Sequence, residues 1–576
     1  MSIKKMSMSQ HQQLIQTALG KEPPDICFQQ VNLLNVYNGK IEKKNIWIKG
    51  DRIAYVGDNI LSDYASSEVV TLKDNQLVVP SYIEPHAHPN QMYNPLTLGE
   101  FLSEKGTGVS INDNLSLFMN MENKQALNLI NELDQIGTHL WLWWAYFDAE
   151  EQQISDQETR FSLDDIREWS QSPLVVQGGE FTAWPKLTAG NEDLTNMILF
   201  LKQESNKRME AHLPGASIKT LNALAAAGLT ADHESMTAKE VLDRLSLGYY
   251  TAIRYSSIRP DLPLIFQELS QYSDLDLSRL MMTNDGASVN FLERATHSEM
   301  IKLAIKENIK PADAYRFATL YPAVYYRIDD LLGGIAPGRI AHLNIIDDLY
   351  EPAPSSVLFA GKWIYKNGIK MERHSDLSFI KRYFPKIHQR KMNVDLSQKP
   401  ENTGIRLLND VITKSYTIDP ASPLDEDECH LIYIDKAGNQ QLKTRIKGFS
   451  KSLYGLASTY SASQDTILIG KDIDYMHRAL QQIEVLGGGI IAFTADGKKT
   501  EIPLPLSGIM SDLPVSKLKE LASDFTKALK KSGFPFDDPT YSLLFLTATH
   551  LPSIRLTNKG LYTVKNKKIL ARTTNL

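Results

Sequence analysis

Two histidines, His86 and His88, close the apolar run VVPSYIEP. Side chains alternate faces along a strand, so both imidazoles would point the same way and could share one metal ion. A His-x-His pair alone is a weak signal, because a long chain contains several by chance. Its weight comes from the groups that end other strand-like runs: Glu180 after LVVQGG, His212 after KRMEA, His233 after LTAD and Asp285 after RLMMTN. Imidazole and carboxylate together hold divalent ions such as zinc, manganese or iron. A bridging carboxylate such as Glu180 lets two ions sit about 3.5 to 4 Å apart with a hydroxide between them, which makes water a nucleophile near neutral pH. Asp285 could accept the proton of that hydroxide and pass it to a leaving amine. Glu234, beside His233, could contact substrate or support a ligand, against the ordinary alternative of a strand-end hydrogen bond.

Such groups need a scaffold on which strand ends converge. From Pro80 to Leu332 the chain alternates strand-like and helix-like text over about the 250 residues of a (β/α)8 barrel. The eight expected strands are VVPSYIEPHAH, GTGVSIND, THLWLWWAYF, PLVVQGGE, RMEAH, LTADH, YYTAIRYS and RLMMTND, with helices such as MENKQALNLINELDQ, SIKTLNALAAAG and TAKEVLDRLSLG between several of them. A doubly wound sheet would alternate in the same way. Pro214-Gly215 and Gly178-Gly179 read as tight backbone around the site, and Gly333-Gly334 with Pro337-Gly338 as the turn out of the barrel. In the barrel's third strand, at least half of Trp141, Trp143, Trp144 and Tyr146 should face the surrounding helices as core.

On either side of the barrel lies short, alternating, turn-rich text. The division is therefore a polar extension at 1–25, a first β-sandwich part at 26–79, the barrel at 80–332, the second sandwich part at 333–374, a basic linker at 375–403 and an α+β domain at 404–576. The fold class is α/β: a TIM-like barrel, a β-sandwich built from the flanking segments, and a C-terminal α+β domain. In that last domain the lysines at 527, 530 and 531 and the acidic run Asp425 to Glu428 read as solvated faces.

Composition narrows the function. Of 576 residues, 42% are hydrophobic and 23% charged, a globular balance, and no long apolar stretch could span a membrane. With 62 basic against 68 acidic residues there is no cationic excess to bind nucleic acid. Cys27 and Cys429 are too few for a disulfide framework or a thiolate metal cage, and a reducing cytoplasm is the expected location. The first residues, MSIKKMSMSQHQQLIQ, lack the apolar core of a secretory signal and read as a short polar surface helix.

These motifs, with GGEFTAWP, EAHLPG, ADHES, ATLYPA, LGGIAPGRIAHLNIIDDL, LPLSGIMSD and SIRLTNKGL, resemble the metal-dependent adenine deaminases of the amidohydrolase superfamily along most of the chain. The resemblance implies conversion of adenine and water to hypoxanthine and ammonia. It implies that His86, His88, Glu180, His212, His233 and Asp285 are the metal and catalytic positions, and that Glu180 stands where many superfamily members carry a carboxylated lysine. Two divalent ions per chain, manganese or iron ahead of zinc, and a purine-like substrate are the corresponding expectations; a homodimer is expected because large barrel enzymes often associate. The chain also departs from the pattern. Glu84 replaces the usual Asp before the His pair, Pro89-Asn90-Gln91-Met92 replaces an Ile-Glu-Ser-Ser type sequence, Asp113-Asn114-Leu115-Ser116 replaces Asp-Pro-His-Glu, and Tyr460 to Gln464 replaces His-Asp-Ser-His-Asn. The alternatives are a binuclear hydrolase of another heterocyclic amine or cyclic amide, and a ligand-binding relative without turnover.

Overall fold

The computed structural model describes residues 6–60, 67–145, 162–371, 376–387 and 394–576. Eight consecutive parallel strands form one sheet, paired in sequence order from first to last. They are β1 (Tyr82–Ala87), β2 (Thr107–Asn112), β3 (Leu140–Ala145), β4 (Val175–Phe181), β5 (Arg208–Ala211), β6 (Ala231–Asp232), β7 (Tyr250–Arg254) and β8 (Leu280–Thr283). All eight expected strands fall on these elements. Such an order requires a crossover after each strand, and the intervening text supplies the helices. The helix Asn123–Ile136 buries Ala126, Leu129, Ile130 and Leu133, a stripe at helical spacing, and stops at Gly137 in the left-handed conformation. Ser217 and Thr237 each cap a later helix by accepting a backbone N–H from the residue three positions on.

The sheet's two end strands, β1 and β8, are joined by side chains. Glu84 Oε1 accepts from the Thr283 hydroxyl at 2.6 Å and Glu84 Oε2 from Asn284 N–H at 3.0 Å. The same Thr283 hydroxyl donates to the His86 carbonyl at 2.9 Å. Glu84 is therefore a seam residue, and its burial pushes the carboxyl up to about 7.

The flanking segments meet as expected: Leu343–Asp348 pairs antiparallel with Leu77–Pro80 and completes a nine-stranded sheet with strands from both sides of the barrel. Phe28, Leu33, Ile46, Ile48 and Val78 from the first flank and Leu343, Ile345 and Leu358 from the second share one core. Gly333 and Gly338, at the turns into this layer, have φ of +82° and +87°. The C-terminal part holds a second nine-stranded sheet, a three-stranded one, and helices including Ile473–Leu486 and Val515–Lys531. The latter buries Val515, Leu518, Ala522, Phe525 and Leu529 and leaves Lys527, Lys530 and Lys531 exposed. The acidic run is only partly a solvated face. Glu428 is buried, accepting from Arg445 at 3.0 Å and from the Tyr416 hydroxyl at 2.6 Å, because its strand turns it inward.

The N-terminal text forms the helix Met8–Ala18, and Ser378–Tyr383 is a short helix in the linker, of which residues 375 and 388–393 lie outside the described residues. Trp141, Trp143 and Trp144 are all buried, while Tyr146 lies outside the described residues. Cys27 and Cys429 are buried and unpaired. Among the described residues no helix is long and apolar enough to cross a membrane.

Candidate metal centre

All six residues singled out by the strand ends come together at the carboxyl end of the barrel. His86 lies at the end of β1 and His88 just past it, Glu180 lies near the end of β4, His212 and His233 follow β5 and β6, and Asp285 follows β8. Three ligand sets, His86–His88–Glu180, His86–His233–Asp285 and Glu180–His212–His233, each hold their donor atoms within 4.8 Å of one another. Glu180 presents its two oxygens to different partners. Oε2 is 3.7 Å from His86 Nε2, whereas Oε1 is 2.6 Å from His212 Nδ1 and 3.3 Å from His233 Nε2. Asp285 Oδ1 is 3.3 Å from His86 Nε2 and 3.1 Å from His88 Nε2.

Gly179 explains how a strand residue such as Glu180 is aimed inward. Its φ is +94°, and a Cβ there would lie 2.5 Å from the Glu210 carbonyl oxygen. The pairing of β4 with β5 shifts register at this point, a bulge that only glycine can make without strain. Asp285 also has a left-handed backbone, with φ of +46°. On the far side, Trp144 packs its ring 4.5 Å from His86 and 5.7 Å from His88, while Trp141 and Trp143 stack on each other in the outer core.

Donor chemistry and burial fit a cation. His86 Nε2, His233 Nε2 and His212 Nδ1 are buried and make no aligned hydrogen bond, despite the short distance from the last of these to Glu180. Buried nitrogens without partners are costly, and a divalent ion among them and the carboxylates would satisfy all three.

Two family models match the chain, the adenine deaminase C-terminal domain over residues 409–568 and the amidohydrolase family over residues 272–370. A protein of Halalkalibacterium halodurans named "Putative adenine deaminase BH0637" is 40% identical, with 97% of each chain covered. The chain belongs to the adenine deaminase family. An "Adenine deaminase" of Kosmotoga olearia is 26% identical over 97% of this chain and 98% of its own. A solved β-aspartyl dipeptidase of Fervidobacterium islandicum AW-1 is 13% identical, covering 61% of this chain and 99% of its own with a TM-score of 0.48. As an adenine deaminase-like amidohydrolase, the protein is a hydrolase of carbon–nitrogen bonds.

In this member of the adenine deaminase family the six candidate residues are held by groups that the strand-end pattern did not single out. Glu210, 3% exposed, accepts through Oε1 from Nδ1 of both His86 at 3.1 Å and His233 at 3.0 Å, and through Oε2 from Gln177 at 2.6 Å. With both Nδ1–H groups so engaged, the lone pairs of His86 and His233 are on Nε2, facing the carboxylates. Burial pushes Glu210 up, but the electrostatic attraction and hydrogen bonds of the His86 and His233 rings outweigh it and hold the carboxyl at about 2. The signal was present, since Glu-x-His at 210–212 repeats the two-residue spacing of the His pair. His88 Nδ1 is similarly 3.2 Å from Asp113 Oδ2, the residue that opens one of the departing segments.

Arg254, at the end of β7, reaches both Glu234 Oε1 and Asp285 Oδ2 at 2.6 Å. Arg259 holds the other Glu234 oxygen at 2.7 Å. Burial would raise Glu234, yet His212, Arg254, His233 and Arg259 together hold it at about 2. Glu234 is thus a carboxylate clamped by two guanidinium groups and lies 3.6 Å from His212 Nδ1. Asp232 accepts from Leu213 N–H at 3.0 Å and pairs with the buried Arg244, which also donates to the Leu213 carbonyl at 2.8 Å. That pair fixes the peptide after His212.

Proposed function

We propose that the chain hydrolyses adenine to hypoxanthine and ammonia, with His86, His88, Glu180, His212, His233 and Asp285 holding two divalent cations. The observation that carries this reading is Glu180, whose two oxygens face separate histidines while three buried imidazole nitrogens have no hydrogen-bond partner. The names of the relatives support adenine as the substrate. Manganese or iron suits this nitrogen and oxygen donor set, to which no thiolate contributes. When bound, divalent cations would acidify water and stabilise negative charge developing on the atoms bonded to the carbon under attack.

The protein's own groups manage the protons. Water adds its oxygen to C6 and the C6–N bond breaks; one water proton joins the departing amino group as ammonia, and the other ends on the ring. Asp285, kept ionised by Arg254 and the two histidines, takes a proton from water and delivers it to the amine. Glu234 is held as a carboxylate, so it serves as an acceptor for an N–H of the base rather than as a proton donor to the ring. Trp144 backs His86 and His88 and keeps both rings in place.

The test is ammonia release by protein reconstituted with manganese, iron or zinc, assayed on adenine beside other heterocyclic amines and cyclic amides. Metal-dependent release from adenine is the expected result. Release only from the other compounds overturns the substrate, and a chain that binds no metal overturns the centre.

A further inference from the structure

The C-terminal part of the chain reaches both loops that carry the barrel's first and last site residues. Ser511 N–H donates to the Met92 carbonyl at 2.8 Å and the Ser511 carbonyl accepts from Asn94, four to six residues past His88. The helix Pro539–Phe545, capped by Asp538, approaches the loop after β8. From it Tyr541, 3% exposed, donates its hydroxyl to the Gly286 carbonyl at 2.7 Å.

That carbonyl belongs to the Gly286–Ala287 peptide, one residue past Asp285. Asp285 and Gly286 are consecutive left-handed residues, with φ of +46° and +61°, a conformation a non-glycine residue keeps only when its surroundings impose it. The barrel holds the amide side of this turn: Asp285 N–H donates to the Thr283 hydroxyl and Gly286 N–H to Asn284 Oδ1. The carbonyl side is held by two tyrosines, Tyr541 at Gly286 and Tyr93 at Ala287. The peptide has little slack, since a Cβ on Gly286 would lie 2.8 Å from that of His88.

We propose that Tyr541 is a positioning residue for Asp285: its hydroxyl, supplied by the C-terminal domain, fixes the Gly286 peptide and so aims the Asp285 carboxylate between Arg254 and the His pair. The C-terminal domain is then a working part of the barrel's site. This rests on the role given to Asp285 above.

Tyr541→Phe, in the full chain, removes the hydroxyl and keeps the ring. With the manganese-loaded protein the expected result is a tenfold to hundredfold fall in kcat, KM within threefold, unchanged manganese content and an altered manganese EPR spectrum. Thr526→Val is the control, because it cuts a different bond between the same two parts, Asn290 to the Thr526 hydroxyl at 3.0 Å. It should leave kcat and the spectrum unchanged. A Tyr541→Phe protein with kcat within twofold of the parent and the same spectrum overturns the proposal, as does an equal loss in Thr526→Val, which would mark general docking. If the parent hydrolyses no heterocycle at all, the proposed activity fails, while the EPR comparison still decides the role of Tyr541.

Discussion

Replacing Glu210 by Gln tests a buried part of the centre without replacing a candidate ligand. The carboxylate accepts from His86 Nδ1 and His233 Nδ1 through one oxygen and from Gln177 through the other. Gln is nearly isosteric and retains one acceptor oxygen for the histidines, but it loses the charge and turns an NH2 toward the Gln177 amide. Hydrogen bonds to a charged group are stronger than neutral ones by about 1 kcal/mol each, so neutralising two costs ~2 kcal/mol of support for the metal-binding tautomers. That corresponds to roughly 30-fold weaker metal binding, inside the 10–100-fold range typical of such outer carboxylates. The measurement is competition with a chromophoric chelator, run beside thermal unfolding of the metal-free proteins. We expect a roughly 30-fold rise in Kd with the fold retained. An affinity within threefold of the parent would refute the idea that Glu210 sets the ligating nitrogens.

Asp285→Asn should lower turnover by ~100-fold to 10,000-fold, the contribution usual for a proton-transfer group, while circular dichroism stays unchanged; parental kcat would remove Asp285 from the mechanism. Gly179→Ala should lower both stability and metal content, because the new methyl meets the Glu210 carbonyl at 2.5 Å and an alanine must take φ of +94°. A Gly179→Ala protein with full metal content and unchanged melting would show that the bulge does not aim Glu180. In the C-terminal domain, Asp465 is buried, accepts from Tyr433, Ser463 and Lys436, and is raised by burial from 3.8 to about 6. Its folded form holds the proton more tightly than its unfolded form, so it disfavours folding progressively as pH rises from about 4 to 6, by about 3 kcal/mol in full. Denaturant titrations of the parent and Asp465→Asn across that range should differ in slope in this sense, and parallel pH profiles would contradict it.

The strand-end residues were legible because barrel chemistry is written at regular places. His86, His88, Glu180, His212, His233 and Asp285 each close a strand-like run, and parallel strands bring all such ends to one rim. The helices were legible for a similar reason, since stripes such as Ala126, Leu129, Ile130 and Leu133 need only local spacing to be recognised. Glu428 was misread from its charge, because burial with Arg445 and Tyr416 depends on a strand face that an acidic run does not reveal.

Tertiary structure decided how those groups are held. Glu210 joins His86 to His233 across 124 and 23 residues, Glu84 reaches 199 residues to Thr283, and Tyr541 reaches 255 residues to Gly286. Residue type and local period fix which side chains a strand presents, and composition already shows no overall cationic excess, with 62 basic against 68 acidic residues. Which carboxylate meets which imidazole depends on barrel closure, a bulge at Gly179 and a second domain laid over the rim. Gly178-Gly179 marks tight backbone locally, but the register shift it makes, like barrel closure and the second domain, arises from contacts between segments far apart in the chain.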